Sequence, residues 1–297
     1  MDFSDIIFFA TLCIVWFYAV VLGRKYDRRT FVVAAVVLTV AYFGMSAMFL
    51  AIDLNGWFSS RKIQHDACTP PNEYFLAFVR VSLIFAFVLV PTLYVFWVLI
   101  MPRRRALGYA VETPGIVAFA LGTVLLLVSA DVMAWTIHRG MHYFTFIYDH
   151  IHVYHHQHIA PVAVAALDAH PIEVFAWDLL PFMVGPLILG APPTLTLFSA
   201  LLAITQTVSA HSGYSLGAIS DGTFHDLHHE RMKCNYGGNF MMDRICGTYI
   251  AREKDRVYPR WNQTEKSLAG SRNVWCSLSE ATSPVRLRMH PEAHHPA

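Results

Sequence analysis

The sequence predicts an all-α integral membrane protein with about four transmembrane helices, a re-entrant hairpin and a cytosolic, histidine-rich helical cap. Three observations predict it. Hydrophobic residues make up 55% of the 297 and charged residues only 14%, whereas a soluble domain carries about 25% charged residues. Long apolar stretches free of charge alternate with short polar connectors. Seven of the sixteen histidines crowd into His138–His158, just beyond the last of the N-terminal apolar stretches.

An α-helix needs about 20 apolar residues to cross the hydrocarbon core of a bilayer. Ile6–Gly23, Phe31–Ile52, Val81–Pro102 and Thr113–Ala130 approach or exceed that, and none contains a charged residue. The first lacks a basic leader and a small-residue cleavage site, so it is expected to be a retained helix. Pro91, inside the third, predicts a kink that a membrane helix tolerates. The connectors "RKYDRR", "DLNGWFSSRKIQHDACTPPNEY" and "RRRALGYAVE" separate the stretches. A fifth apolar region, Leu179–Ala210, is broken by "GAPP" at Gly190–Pro193. Each half is short for a span, which favours a hairpin that returns to its own side; two buried helices of a soluble lobe are the alternative. These features divide the chain into a transmembrane region 1–130, a histidine-rich region 131–260 containing the hairpin 179–210, and a polar tail 261–297 expected to be disordered. His290, His294 and His295 of that tail are expected to be solvated.

Sidedness is left open by the charges. Four spans would return the histidine-rich region to the side of Met1 and put "RKYDRR" and "RRR" opposite it, whereas the positive-inside rule prefers both in the cytoplasm.

The net charge of +1 gives no sign of a nucleic-acid partner, and five scattered cysteines without a CxxC pair give no thiolate site. The histidines carry the chemistry. His138 and His142 stand four apart, and on a helix they share a face. His152, His155 and His156 stand at i, i+3, i+4, and His225, His228 and His229 repeat that spacing. Imidazole ligates iron, copper and zinc, and eight neutral donors exceed the four of a tetrahedral ion, so the cap is expected to hold a di-metal centre. Asp149 and Asp226 adjoin the clusters and are expected to accept an N–H bond from a ligand imidazole. Because "SADVMAWTIHRGMH" continues out of the fourth apolar stretch, the metals are expected just beyond the membrane face. A metal transporter would need polar ligands inside the spans, and none is there. A membrane cytochrome would use single histidines facing each other, not clusters.

"HRGMH", "HVYHH" and "HDLHH" resemble the three histidine boxes of the fatty acid hydroxylase/sterol desaturase superfamily. The resemblance covers roughly Asp131–Tyr249 and includes "DAHPIE", "AHSGY" and "NYGGNFMMDRICGTY". It implies an O2-dependent membrane enzyme with two iron ions, which hydroxylates, desaturates or oxidatively demethylates a lipid. Carried over, the ligands are His138, His142, His152, His155, His156, His225, His228 and His229, with His211 of "AHSGY" as a ninth. For His170 of "HPIE", ligand and structural roles stand level. His150 and His158 fall off the ligand face. Met242 stands where many relatives place Trp before the Asp.

The resemblance favours a sterol substrate, with a sphingoid base or fatty acyl chain as runner-up. The chain has no H-P-G-G haem motif and no Gly-rich dinucleotide fingerprint, so electrons are expected from another protein. The family implies cytochrome b5 and its reductase in a eukaryote, with a ferredoxin as the bacterial equivalent. Arg231, Lys233, Arg244, Arg252, Lys254 and Arg256 are the basic candidates for docking it; a merely solvated basic surface is the alternative. The expected location is the endoplasmic reticulum membrane in a eukaryote and the inner membrane in a bacterium.

Overall fold

A computed structural model describes residues 28–65, 69–100, 114–216 and 222–252. The predicted first span Ile6–Gly23, the "RRR" connector and the tail 261–297 lie outside the described residues. Among those described, the regular structure is helical, with one isolated bridge between Lys62 and Tyr214. Five helices are long and apolar enough to cross a membrane.

Helix α1 is Arg28–Asn55. The second long helix, α2, covers Pro71–Val98 and begins with Pro71 at its first turn, where the missing N–H costs nothing. Around Pro91 its turns widen into π-helical segments at Phe85–Leu89 and Val95–Ile100. A widened turn lets the backbone step past a residue that cannot donate. Helix α3 is Ile116–Tyr143, followed by the short α4, Thr145–His150. Helix α5 covers Pro171–Leu189, and α6 is Pro193–Ala210. Two short helices, α7 (Thr223–Arg231) and α8 (Phe240–Cys246), close the order.

The outward faces of α1 and α3 are apolar: Val32, Val36 and Val40 on one, and Ile116, Val117 and Leu121 on the other, are exposed. In water so much uncovered apolar surface would be unfavourable; in lipid it is the expected finish. The core between the helices is aromatic, with Tyr42, Phe49, Phe85, Phe96, Trp97 and Tyr214 buried in one cluster. Two of its hydroxyls also place loops. Tyr42 donates to the carbonyl of Val164 (2.9 Å) and accepts from the amide of Leu167 (3.0 Å), which pins the turn Ala163–Leu167 against α1. Asp53, near the end of α1, accepts from Lys62 (2.8 Å), Tyr74 (2.6 Å) and Tyr214 (2.7 Å), tying together three segments at the histidine-bearing end.

Two element ends differ from expectation: the start of α2 and the start of the hairpin. Helix α2 starts before Arg80, whose guanidinium grips Asp168 at 2.8 and 2.6 Å. Helix α3 runs on past Asp131, as the continuous "SADVMAWTIHRGMH" leads one to expect, and Asp131 accepts the amides of Asn239 (3.0 Å) and Met242 (3.2 Å) at the start of α8. The first limb of the predicted hairpin starts at Pro171, not Leu179. With 19 and 18 residues, the two limbs are each long enough to cross a bilayer at about 1.5 Å per residue. They turn at Gly190, whose φ of 68° places it in the left-handed region where glycine caps helices.

Helix α5 packs closely on α3. A Cβ at Gly185 would lie 2.5 Å from Ser129 Oγ and 3.5 Å from Leu126 Cδ2. Gly185→Val is therefore expected to lower the thermal unfolding midpoint in detergent, at an overpacking cost of about 1–3 kcal/mol. Gly122→Ala is expected to do less, although its Cβ would lie 2.6 Å from Leu195 Cδ2, because that methyl belongs to a side chain able to rotate away.

Candidate metal centre

Four segments converge where α3 and α6 end and α5 begins. Helix α3 carries His138 and His142 one turn apart. A 3-10 turn, His152–Gln157, carries His152, His155 and His156. His211 sits just past the end of α6, and α7 carries His225, His228 and His229. These nine imidazoles form two groups, each able to hold a metal ion: His138, His142, His152, His156 and His228, and His155, His211, His225 and His229. Within each group the ligand atoms lie within 4.8 Å of one another.

The grouping corrects one expectation. The i, i+3, i+4 boxes do not each point one way. His152 and His156 serve the five-imidazole group and His155 the other, while His225 and His229 serve the four-imidazole group and His228 the first. Each of these boxes thus contributes to both groups, which holds the two close: the His156 and His229 rings are 4.9 Å apart.

Hydrogen bonds to Nδ1 set the tautomers. His138 Nδ1 donates to the carbonyl of Tyr236 (2.6 Å), His228 Nδ1 to that of Cys234 (2.6 Å), and His211 Nδ1 to that of Thr207 (2.8 Å). His152 Nδ1 donates to the carboxylate of Glu173 (2.8 Å). A neutral imidazole has one N–H, so Nε2 of each carries a lone pair. His138 Nε2 nevertheless lies 3.0 Å from His152 Nε2. Two lone pairs at that distance repel unless a cation lies between them, so the donor set fits a metal. Burial, which disfavours the charged ring, holds His152, His155, His156, His225 and His229 well below the usual histidine range. It brings His211 and His228 down to about 4. At neutral pH the rings are in the ligating form.

The remaining candidates fall elsewhere. Asp226 does not meet an imidazole: its buried carboxylate accepts from Arg252 (2.6 Å) and Gln64 (3.1 Å). Burial pushes that carboxyl up to about 7 against the pull of Arg252. The expected partner of an imidazole is Glu173 instead. Asp149 makes no such bond among the described residues. His170 is in neither group; its Nδ1 accepts the amide of Ile172 (3.2 Å) and caps the start of α5. His150 is exposed and donates to Phe146. His158, expected outside the ligand face, is buried and donates to Asp168 (2.8 Å). Burial alone would raise the Asp168 carboxyl, but the bonds from His158 and Arg80 outweigh it and hold it low.

The "NYGGNFMMDRICGTY" segment serves the centre through its backbone. Asp243, fully buried, accepts the amides of Tyr236 (2.9 Å) and Gly237 (2.7 Å) and the hydroxyl of Thr248 (2.6 Å). That holds in place the Tyr236 carbonyl to which His138 donates.

A fatty acid hydroxylase family model matches residues 123–248, the stretch that contains all nine imidazoles. A Dictyostelium discoideum protein provisionally named methylsterol monooxygenase is 30% identical over 251 residues, covering 79% of this chain and 87% of that protein. The chain belongs to the fatty acid hydroxylase superfamily. Among other members, human fatty acid hydroxylase domain-containing protein 2 is 35% identical over 150 residues, 50% of this chain and 44% of the human one. The chain thus spans less than half the length of that relative. Sphinganine C4-monooxygenase 1 of Arabidopsis thaliana is 33% identical over 138 residues, 43% of this chain and 53% of that protein. No solved structure matches the chain.

Of the basic residues considered for partner docking in this family member, Arg252 is already engaged. Its guanidinium bonds both Asp226 and Glu230 at 2.6 Å and is mostly buried. Lys254 and Arg256 lie outside the described residues. Arg252→Ala would leave two neighbouring carboxylates on α7 without their cation, and breaking a buried pair typically costs about 3–5 kcal/mol. The expected result is a lower unfolding midpoint together with weaker metal retention at His225, His228 and His229, read by metal analysis after dialysis.

Proposed function

We propose that this chain is a membrane-embedded, non-haem di-iron monooxygenase acting on a lipid, most naturally a sterol. One observation carries the proposal: nine imidazoles, eight of them buried and His142 half-buried, meet as two lone-pair cages at the end of an apolar helix bundle. Bound iron would supply the redox chemistry that activates O2 for insertion into an unreactive C–H bond. His138, His142, His152, His156 and His228 would hold one ion, and His155, His211, His225 and His229 the other. Glu173 fixes the ring of His152, and the carbonyls of Tyr236, Cys234 and Thr207 fix three more, so that little reorganisation is needed around the ions.

Hydroxylation turns one C–H bond and O2 into an alcohol and water, consuming two electrons and two protons. The electrons would come from a protein donor such as cytochrome b5 with its reductase, or a ferredoxin, docking on the histidine-bearing face. That face would be cytosolic, in the endoplasmic reticulum membrane of a eukaryote or the inner membrane of a bacterium. Of the basic candidates, Arg231, Lys233 and Arg244 lie, with the engaged Arg252, among the described residues at or after the third box, and weak redox encounters use small, charge-steered interfaces. A lipid substrate would slide in along the bundle, avoiding a transfer to water that costs about 0.8 kcal/mol per CH2 group.

The sterol reading is supported by the methylsterol-named relative, whose similarity extends well beyond the histidine boxes. A sphingoid-base or fatty-acyl substrate is the second reading, supported by the sphinganine C4-monooxygenase. Expression in sterol-containing cells followed by untargeted lipid mass spectrometry separates them. A sterol that gains one oxygen atom is the expected product. A sphingoid base that gains one oxygen supports the second reading, and a lipid that loses two hydrogens identifies a desaturase.

A further inference from the structure

The aromatic contacts of the two imidazole groups are unevenly shared. Tyr148 packs against His142, His152 and His156, and Tyr236 against His138, His142 and His228. All of those belong to the five-imidazole group. Trp177 reaches both. Its ring centroid lies 4.1 Å from that of His138 and 6.1 Å from His152 in the first group, and 5.8 Å from His155 and 6.2 Å from His225 in the second. The indole therefore lies across the junction of the two cages.

It also lies on their membrane side. Trp177 stands on α5 one turn beyond Glu173, the residue that bonds His152, while two turns further on Gly185 meets Leu126 and Ser129 deep along α3. The stretch that carries it, Val174–Leu179, is π-helical, a widened turn common at functional sites. An indole has no lone pair to give a metal, but it offers a broad, flat apolar face.

We propose that Trp177 is the floor against which the lipid's reacting carbon is held, a specificity-determining contact that binds no metal. The proposal rests on the lipid-oxidising reading of this same site. A carbon that approaches the ions from the bilayer meets this ring before it meets an imidazole, and the ring's bulk sets which carbon stops beneath the centre.

The first test does not depend on turnover. Trp177→p-benzoylphenylalanine, expressed in native membranes and irradiated, places a C–H-reactive group at the site. Leu121, 61% exposed on the outer face of α3, carries the same group as a bulk-lipid control. The expected result is a covalent lipid adduct at 177, enriched in one lipid class relative to the adducts at 121. No lipid at 177, or the same mixture as at 121, overturns the proposal. The second test compares Trp177→Phe with wild type in phosphatidylcholine vesicles containing cholesterol or sphinganine. Iron per chain is expected to stay level, while the oxidised position shifts or O2 consumption uncouples from product by about tenfold or more, the scale of a small misplacement of reacting atoms. Iron and activity falling in parallel would make Trp177 merely structural. Capture of a selected lipid by the photoprobe at 177, with no lipid oxidised by the wild-type protein, would instead sink the proposed reaction and leave the contact standing.

Discussion

Replacing His155 with Ala is expected to abolish turnover and remove one of two metals, leaving the other bound. The same holds in mirror image for His142→Ala. His155 belongs to the four-imidazole group and His142 to the five-imidazole group, so each deletion opens one cage. If each box served a single ion, removing His228 would open the cage of His225 and His229. The observed division makes the opposite pairing: His228→Ala should weaken the same ion as His142→Ala, although its neighbours in the box hold the other. Metal analysis of the three variants reads the pattern directly, and the double variant His142→Ala, His155→Ala should retain none. His150→Ala is the control, because its exposed ring donates to Phe146 and enters neither group. Full activity in His228→Ala would remove that residue from the centre.

The second large effect is expected at Glu173. Its carboxylate is almost fully buried and holds the Nδ1 proton of His152. Glu173→Gln keeps an acceptor but loses the charge, and loss of such an outer partner typically costs about 10–100-fold in metal affinity or activity. Glu173→Ala removes the acceptor as well and strands a buried N–H, so it should cost more than the amide. Titration of iron into the apoprotein separates the two. An unchanged affinity in Glu173→Gln would show that the carbonyl-held rings position the five-imidazole cage without help.

Much of this architecture was legible in the chain because lipid imposes long charge-free runs. The misplaced helix ends show where that rule stops. Arg80 looked like a boundary, but it is matched by a partner 88 residues distant, and spacing along a chain carries no record of such a pairing. The histidines were legible as a set for a different reason: identical residues at helical spacing are hard to place for any other purpose. Their partition was not. The second box forms a 3-10 turn instead of an α-helix, and both later boxes splay their rings toward two cages.

The expectation that Asp149 and Asp226 would be the imidazoles' partners met the same limit. Asp226 lies beside His225 in sequence, but its carboxylate is turned toward Arg252 and Gln64. Glu173 is an acidic residue next to an apolar limb, with no Lys or Arg nearby in sequence to neutralise it. A carboxylate entering a membrane helix is expensive, and one that remains there usually has a partner.

The proposed chemistry requires the two cages to hold iron together. Iron, zinc and haem measured against protein on one purified, iron-reconstituted sample test that most directly. The expected result is about two non-haem irons per chain, no haem absorption, and a loss of about one iron in each of His142→Ala and His155→Ala. A reconstituted protein that binds a single metal, or that loses both when either residue is changed, would contradict two separate cages.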